Sequence, residues 1–355
     1  MQTEEQNINE EQELYENYRI EVEKGQKILR IDKYLMMRIE GTSRNKIQTA
    51  AKAGCVKVNN AVVKSNYRVK GGDIIQIFLT RPPQEIEIIP QDIPIDIVYE
   101  DEDLVVVNKP ANMVVHPGYG NYYGTLLNAL TFHFEKNHKA EGEAPKPLLV
   151  HRIDKDTTGL LLVAKNEYAQ TFLSKQFFEH TTQRQYIAIV WGDFQQDHGT
   201  IEGNIGRSLK DRKIMDIFPD GEHGKSAITH YEVQQRFGYI TRVMCQLETG
   251  RTHQIRAHMK YIGHPLFGDK TYGGDKVLKG TTFSKYKQFV ENCFQILPRQ
   301  ALHAATIGFI HPKSGEKMSF TSDLPQDMQT VIDRWTQYTN NSKTKTAFHR
   351  NKTAF

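Results

Sequence analysis

Three cysteines in 355 residues, Cys55, Cys245 and Cys293, stand far apart with no C-x-x-C pair among them. An odd, scattered set of thiols is no disulfide framework and, by itself, no structural zinc site; it fits a reducing cytoplasm. No stretch approaches the ~20 apolar residues that a membrane helix needs. The acidic N-terminus lacks an apolar signal core, so the sequence does not read as an exported chain. The fourteen histidines include no H-E-x-x-H and no Cys/His ligand spacing. There is no G-x-x-x-x-G-K-S/T phosphate loop, and Tyr272-Gly273-Gly274 has no lysine in the right place. Neither a metal nor ATP is indicated.

What is there is unevenly charged. Residues 1–27 carry eight acids against Arg19, Lys24 and Lys27, whereas Ile28 to Gln84 carry eleven basic residues against Asp32, Glu40 and Asp73. A compact basic segment in a chain of net charge +4 points to a polyanion partner, most simply RNA or DNA. The length suits two or three domains at roughly 100–200 residues each.

Residues 1–26 read as an acidic, flexible or frayed N-terminus. Ile31, Tyr34, Leu35 and Ile39 then recur at helical spacing, with Gly41 closing that helix. Ser43 is a good N-cap for a second helix ending at Gly54. On that helix Arg44, Gln48 and Lys52 share a face. Val56 and Val58, an Asn59-Asn60 turn and Val62-Val63 predict a hairpin, and Ile74–Leu79 a further strand. The run RIDKYL…SRNKIQTAAKAGCVKVNNAVVKSNYRVKGGDIIQI resembles the RNA-binding domain named after ribosomal small-subunit protein four, over residues 27–85. That resemblance implies phosphate contacts from Arg44, Lys46 and Lys52, with Arg30 and Lys33 as further candidates. It specifies a fold more than a function, since the module reads backbone shape and charge rather than sequence.

Arg81-Pro82-Pro83 reads as a linker. Beyond it β signals dominate, with strands at Leu104–Val107, Leu160–Ala164, Tyr186–Trp191, Ile228–Val233 and Arg242–Leu247. One helix follows Asn166; another carries Ile255, Met259 and Ile262, with Thr252 as cap and Gly263 as stop. No βαβ rhythm appears, which predicts an α+β domain with a mixed, largely antiparallel sheet. The tail from Thr339 is rich in Asn, Thr and Lys and reads as disordered.

The densest polar cluster is His151-Arg152-Ile153-Asp154-Lys155-Asp156-Thr157-Thr158, flanked by apolar residues and ended by Gly159. Loops between rigid strands commonly carry catalytic side chains. On residue types alone, His151 with Asp154 could be an acid–base pair, part of a metal site, or a polar hairpin loop. HRIDKDTTGLLLVAK, however, resembles the H-R-L-D-x-x-T-S/T-G-L-L signature of the RluA-type pseudouridine synthases. The likeness runs through residues 92–325, in Asn108-Lys109-Pro110, Val115–Gly118, Arg184–Ala188, Thr249–His258 and Gln300–Ala304, in that order. His116 to Leu130 look most like the branch that includes the large-subunit ribosomal RNA synthase D. Isoleucine at 153, where leucine is commoner, is a conservative departure.

The resemblance implies the pseudouridine synthase fold over residues 92–338 and an isomerase that needs no cofactor. It gives Asp154 the role of essential carboxylate, by attack or by removal of the C2′ proton. An aspartate of ordinary pKa, ~3.9, is ionised at neutral pH and suits either role. Arg256 would pair with it and keep it ionised. Tyr186 would stack on the detached uracil and accept the C5 proton; without the motif it would read as a core aromatic. Arg152 would hold RNA with the base flipped out. His151 would contact the substrate, and Lys109, His116, Arg251 and His253 are candidates for phosphate contact or loop support, Lys109 and Arg251 first among them for the substrate. The expected partner is structured RNA, most simply large-subunit ribosomal RNA, with transfer RNA as an alternative substrate; the chain is expected to be monomeric and off the membrane. Two other classes remain: a catalytically silent RNA-binding or ribosome-assembly protein, and a hydrolase built on His151 and Asp154. The first would show by loss of the aspartate, tyrosine or arginine, and the second needs a metal or second acidic cluster.

Overall fold

The computed structural model describes residues 15–39, 42–79, 88–118, 120–138, 142–208, 211, 214–221 and 223–352, with side chains to residue 341. The chain divides into two compact units, Met1–Glu87 and Ile88–Phe355.

In the first unit, β1 (Tyr15–Glu21) and β2 (Leu29–Arg30) precede α1 (Ile31–Arg38) and α2 (Arg44–Lys52). After them come β3 (Val56–Val58), β4 (Ala61–Val62), β5 (Arg68–Val69) and β6 (Ile74–Leu79). The sheet order is β1-β6-β3-β4, with β2 paired to β5. Ser43 caps α2, its side chain accepting from the Lys46 amide. Asn59 and Asn60 turn the β3–β4 hairpin at φ +50° and +67°, the left-handed pair that a two-residue hairpin of this hand requires. Ile31, Tyr34 and Leu35 of α1 meet Ile47 and Ala51 of α2 over the strands. The expected flexible N-terminus is corrected here: Tyr15–Glu21 pair antiparallel with β6. Their acids mask an alternation in which Glu16 accepts from Gln76 and Ile20 packs against the core. Residues 1–14, Gly41 and the Arg81-Pro82-Pro83 linker lie outside the described residues.

The second unit opens with β7 (Asp96–Glu100), β8 (Leu104–Lys109), α3 (Leu126–Asn137) and β9 (Leu148–Leu149). It continues through β10 (Thr158–Ala164), α4 (Glu167–Phe178), β11 (Gln183–Trp191), β12 (His198–Arg207) and β13 (Met215–Phe218). Next are β14 (Lys225–Arg236), β15 (Ile240–Leu247), α5 (Gln254–Tyr261) and α6 (Ser284–Ile296). The last elements are β16 (Leu302–Ile310), β17 (Lys317–Thr321) and α7 (Gln326–Lys352). One sheet runs β13-β12-β14-β15-β11-β16-β10-β8-β7, with β17 on β16 and β9 on β10. Among the described pairs only β10–β16 is parallel, so the sheet is mixed and largely antiparallel and the class is α+β.

Alternation sends each central strand into two cores. Val105, Val107, Leu161, Val163, Tyr186, Ala188 and Val190 face the core built with α3 and α5. Ile187, Ile189 and Trp191 face the core built with α6 and α7. A strand buried on both faces reads as an unbroken apolar run, as β10 and β11 do. The expected disordered tail from Thr339 is also corrected as far as Lys352, where α7 ends; residues 353–355 lie outside the described residues. Met328, Val331, Ile332 and Trp335 anchor α7, and helix continues from that anchored turn into a polar sequence.

Candidate active site

The segment 150–157 joins β9 to β10 and is held from several sides. Lys109 at the end of β8 is fully buried. Its Nζ donates to the carbonyls of Pro110 (2.7 Å), Met113 (2.9 Å) and Lys155 (2.9 Å). Burial pushes this ammonium down to about 7, against the pull of Asp156 and Asp154; three carbonyl acceptors match the three N–H groups of the charged form. Arg299, itself paired with Asp327, donates to the Asp156 carbonyl at 3.0 Å. Thr158 meets His303 Nδ1 at 2.9 Å. Gly159 sits at φ +108°, where a Cβ would lie 2.2 Å from the Ala304 carbonyl oxygen, so only glycine lets β10 meet β16 there.

Asp154 at the head of this loop is partly exposed and accepts from Arg256 Nη1 at 3.0 Å. Arg256, on α5, also grips the fully buried Asp269 with two bonds, Nε to Oδ2 at 2.7 Å and Nη2 to Oδ1 at 2.9 Å. Burial pushes the guanidinium's pKa down, but the hydrogen bonds and charges of Asp269 and Asp154 raise it further, and the net shift is upward. Asp269 accepts as well from the amides of Thr271 and Tyr272. The Tyr272 ring lies 5.0 Å from the Arg256 guanidinium carbon. The Tyr272 hydroxyl accepts from the Met215 amide and meets His253 Nδ1 at 3.1 Å. His253 Nε2 is in turn 3.9 Å from Asp154.

These groups open on a cavity of about 450 Å³ whose walls include Arg152, Asp154, Tyr186, Arg251, His253 and Arg256, a size typical of ligand sites. Tyr186 is nearly buried. Burial raises its phenol pKa, the charge of Arg184 opposes that rise, and Asp154 adds to it. The expected Thr252 cap of α5 is corrected: the cap is His253 at φ +55°, with no side-chain cap bond. The turn is closed by Gln254, whose Oε1 accepts from Thr249 Oγ1 and the Arg251 amide.

The sequence matches the RNA pseudouridylate synthase family over residues 103–261 and the S4 domain over residues 29–75. An "Uncharacterized RNA pseudouridine synthase" of Chlorobaculum parvum is 47% identical over 317 residues, 89% of this chain and 96% of that protein. The "Ribosomal large subunit pseudouridine synthase D" of Zymomonas mobilis is 43% identical, over 85% of this chain and 92% of that one. The solved structure of "Human RNA Pseudouridylate Synthase Domain Containing 4" superposes with a TM-score of 0.52 at 22% identity, covering 68% of this chain and 92% of that one, and shows the same fold. This chain belongs to the RNA pseudouridine synthases. It is an isomerase that converts uridine to pseudouridine, with an S4-type RNA-binding domain ahead of its catalytic domain.

For a pseudouridine synthase of this build, the structure brings together Asp154, Arg256, Tyr186, Arg152 and Arg251 in one cavity. Arg152 is exposed at it, free to reach a phosphate, and Arg251 is half-buried with its Nε on the Ser226 carbonyl. Two candidates change role. Lys109 is not on the cavity wall but ties the loop from behind. His151 borders the cavity, yet its Nε2 accepts from the Leu162 amide at 2.9 Å and its ring stacks on Phe177. That bond fixes the neutral tautomer, and burial first, then the charge of Arg184, pushes its pKa down to about 3. An imidazole so engaged holds β10 and makes no acid–base pair with Asp154. His116 is half-buried away from the cavity wall, and burial, then the charge of Arg152, lowers its pKa.

In the S4 unit, buried Asp32 gathers Arg30, Arg44 and Gln48, with bonds of 2.8–3.1 Å. Burial raises its pKa, but those bonds lower it by more. Arg30 and Arg44 are thereby aimed rather than loose, while Lys46 and Lys52 stay exposed on α2.

Sequence reasoning missed Asp269 and Arg184. Asp269 stands in a Gly268-Asp269-Lys270 turn with no motif to flag it. Among the described residues, Asp101, Asp103 and His311 bring ligand-type atoms within 4.8 Å of one another. Asp101 already accepts from His311, Tyr99 and the Asp103 and Leu104 amides, which makes the group a turn cap.

Proposed function

We propose that this enzyme modifies specific uridines of large-subunit ribosomal RNA, using Asp154 as its essential carboxylate, Arg256 as the cation paired with it and Tyr186 as the stacking residue and proton acceptor. The observation that carries the reading is the Asp154–Arg256 pair set in a cavity that Tyr186 also lines. Isomerisation breaks the N1–C1′ bond, turns the uracil, joins C5 to C1′, releases the C5 proton and protonates N1. No electron is gained or lost, so the reaction calls for no redox cofactor. Asp154 starts it by attacking the nucleoside or by taking the C2′ proton.

The target base must leave its stack to reach the cavity, and exposed Arg152 is placed to hold the strand in that state. Lys46 and Lys52 on α2, with Arg44 and Arg30 aimed by Asp32, supply phosphate contacts. The ribosomal target is supported by relatives named for the large subunit, such as those of Zymomonas mobilis and Vibrio cholerae, the latter 40% identical over 84% of this chain. We assign the protein to the cytoplasm, as a monomer.

The test is to incubate purified protein with unmodified large-subunit ribosomal RNA and, separately, unmodified transfer RNA, and to map pseudouridines in each. Stoichiometric sites in the ribosomal RNA alone support the proposal. Sites only in transfer RNA overturn its substrate and leave the isomerase.

A further inference from the structure

Three arginines of the catalytic unit are buried among the described residues: Arg184, Arg256 and Arg299. Arg256 pairs with Asp154 and Asp269, and Arg299 with Asp327. Arg184 pairs with no carboxylate among the described residues. It is 6% exposed, its Nη2 donates to the Glu248 carbonyl at 2.9 Å, and its guanidinium carbon lies 5.4 Å from the centre of the Phe177 ring. Its Nε is buried without any partner. Burial lowers its pKa, with the nearby Tyr186 opposing.

The side chain is aimed at the reaction. Arg184 stands two residues before Tyr186 on β11, so both project from the same face of the strand, and both line the cavity that holds Asp154. Gly250 leaves room for it, since a Cβ there would lie 2.8 Å from Nη1. An uncompensated buried charge destabilises a fold, and a single carbonyl does not neutralise a cation. The missing anion is therefore supplied by what enters the cavity.

We propose that Arg184 is a further catalytic residue, whose guanidinium stabilises the negative charge that the uracil carries once its bond to the ribose is broken. The inference rests on the reading of this cavity as the isomerase site. When N1–C1′ breaks, its electron pair stays with the uracil and spreads over N1, O2 and O4. That holds whether Asp154 bonds to the sugar or removes the C2′ proton. The charge is consumed when C5 attacks C1′, as the Asp154–C1′ bond breaks or, on the other route, as Asp154 returns its proton to C2′; the C5 proton then leaves through the Tyr186 hydroxyl, which passes its own proton on, and N1 takes up a proton. Bound uridine is neutral, so the guanidinium interacts more strongly with the intermediate than with the substrate, and this difference accelerates the step. An RNA phosphate is the rival anion. Exposed Arg152 and half-buried Arg251 are better placed for one than a guanidinium that is nearly enclosed.

The test uses the full chain with Arg184→Met and Arg184→Lys, on RNA carrying uridine or 5-fluorouridine at the target and read by chromatography of the digested nucleosides. Arg184→Met should fold with a Tm at or above the parent's, because it removes an unpaired buried charge. It should bind RNA within about two-fold and rearrange uridine roughly 100- to 1000-fold more slowly, as for loss of one oxyanion donor. Arg184→Lys should recover part of that loss. On 5-fluorouridine the defect should shrink at least about ten-fold, since fluorine already stabilises the departing anion. A parent-like rate in Arg184→Met overturns the inference, as does a variant that no longer folds. An equal defect on both RNAs, with weaker binding and a salt slope reduced by about one, marks a phosphate contact instead. An inactive parent would mean that the isomerase reading itself had failed, whereas an active parent with an equally active variant sinks only the role of Arg184.

Discussion

Asp269 holds Arg256 more firmly than Asp154 does: two short bonds reach the fully buried carboxylate, and one of 3.0 Å reaches the partly exposed one. One cation thus serves an anchor and the carboxylate proposed to react. The anchor fixes where the guanidinium sits, and the guanidinium fixes where Asp154 points.

Replacing Asp269 with Asn should therefore damage both stability and chemistry. Breaking one side of a buried pair costs about 3–5 kcal/mol, and an amide puts an NH2 donor where Asp269 has the second of the two oxygens that accept from Arg256. Urea unfolding should show that loss. Tritium release, measured well below the lowered Tm, should fall at least ten-fold with RNA affinity unchanged. Parent-like turnover in a stable Asp269→Asn protein would contradict the positioning role.

Lys109→Met should separate a loop anchor from a phosphate contact. With the bond to the Lys155 carbonyl lost, turnover should drop and the Tm should fall. Affinity for RNA and its salt dependence should not change, because Lys109 is fully buried. A weaker complex with a shallower salt slope would restore Lys109 to the RNA surface.

Acid should unfold the protein through its neutral histidines. Burial holds His151 at about 3 and His258 at about 4, against an ordinary value of ~6.5. Between those values and ~6.5 the unfolded chain binds protons that the folded chain does not. Stability is thus full above ~6.5 and falls as the pH drops towards 4, each group contributing up to about 1.4 kcal/mol per pH unit. Urea midpoints at pH 7, 6 and 5 should decline more steeply for the parent than for His258→Gln. Parallel declines would remove His258 from the account.

The S4 unit should act through charge. Lys46→Ala and Lys52→Ala should each weaken RNA binding and reduce its salt slope by about one. Single-turnover rates at saturating RNA should stay within about two-fold. A fall in that rate without a change in affinity would tie α2 to the chemistry instead.

Much of the candidate site was legible because its residues are local in sequence. Asp154, Arg152 and Gly159 share one loop, and Tyr186 and Arg256 stand in short segments whose residue types are unusual for their positions. What stayed hidden depends on contacts between distant segments. Asp269 means little until α5 brings Arg256 to it, and Arg184 looks ordinary until its lack of a carboxylate is visible. Lys109 reads as either a phosphate contact or a loop support until its burial decides for the loop. The ends were misread for a similar reason: Tyr15–Glu21 become a strand only beside β6, and the polar sequence after Thr339 is helical because Trp335 is buried one turn before it.

The central claim is that Asp154 isomerises uridine without help from a bound metal or nucleotide. The most direct measurement is tritium release from ribosomal RNA labelled at uridine C5, in the presence of a chelator, by the parent and by Asp154→Asn. The parent should release tritium to a plateau set by its target sites, and the variant none, while still binding RNA within about two-fold. Release by Asp154→Asn at the parent's rate, or a parent active only after a cofactor is added, would contradict that claim.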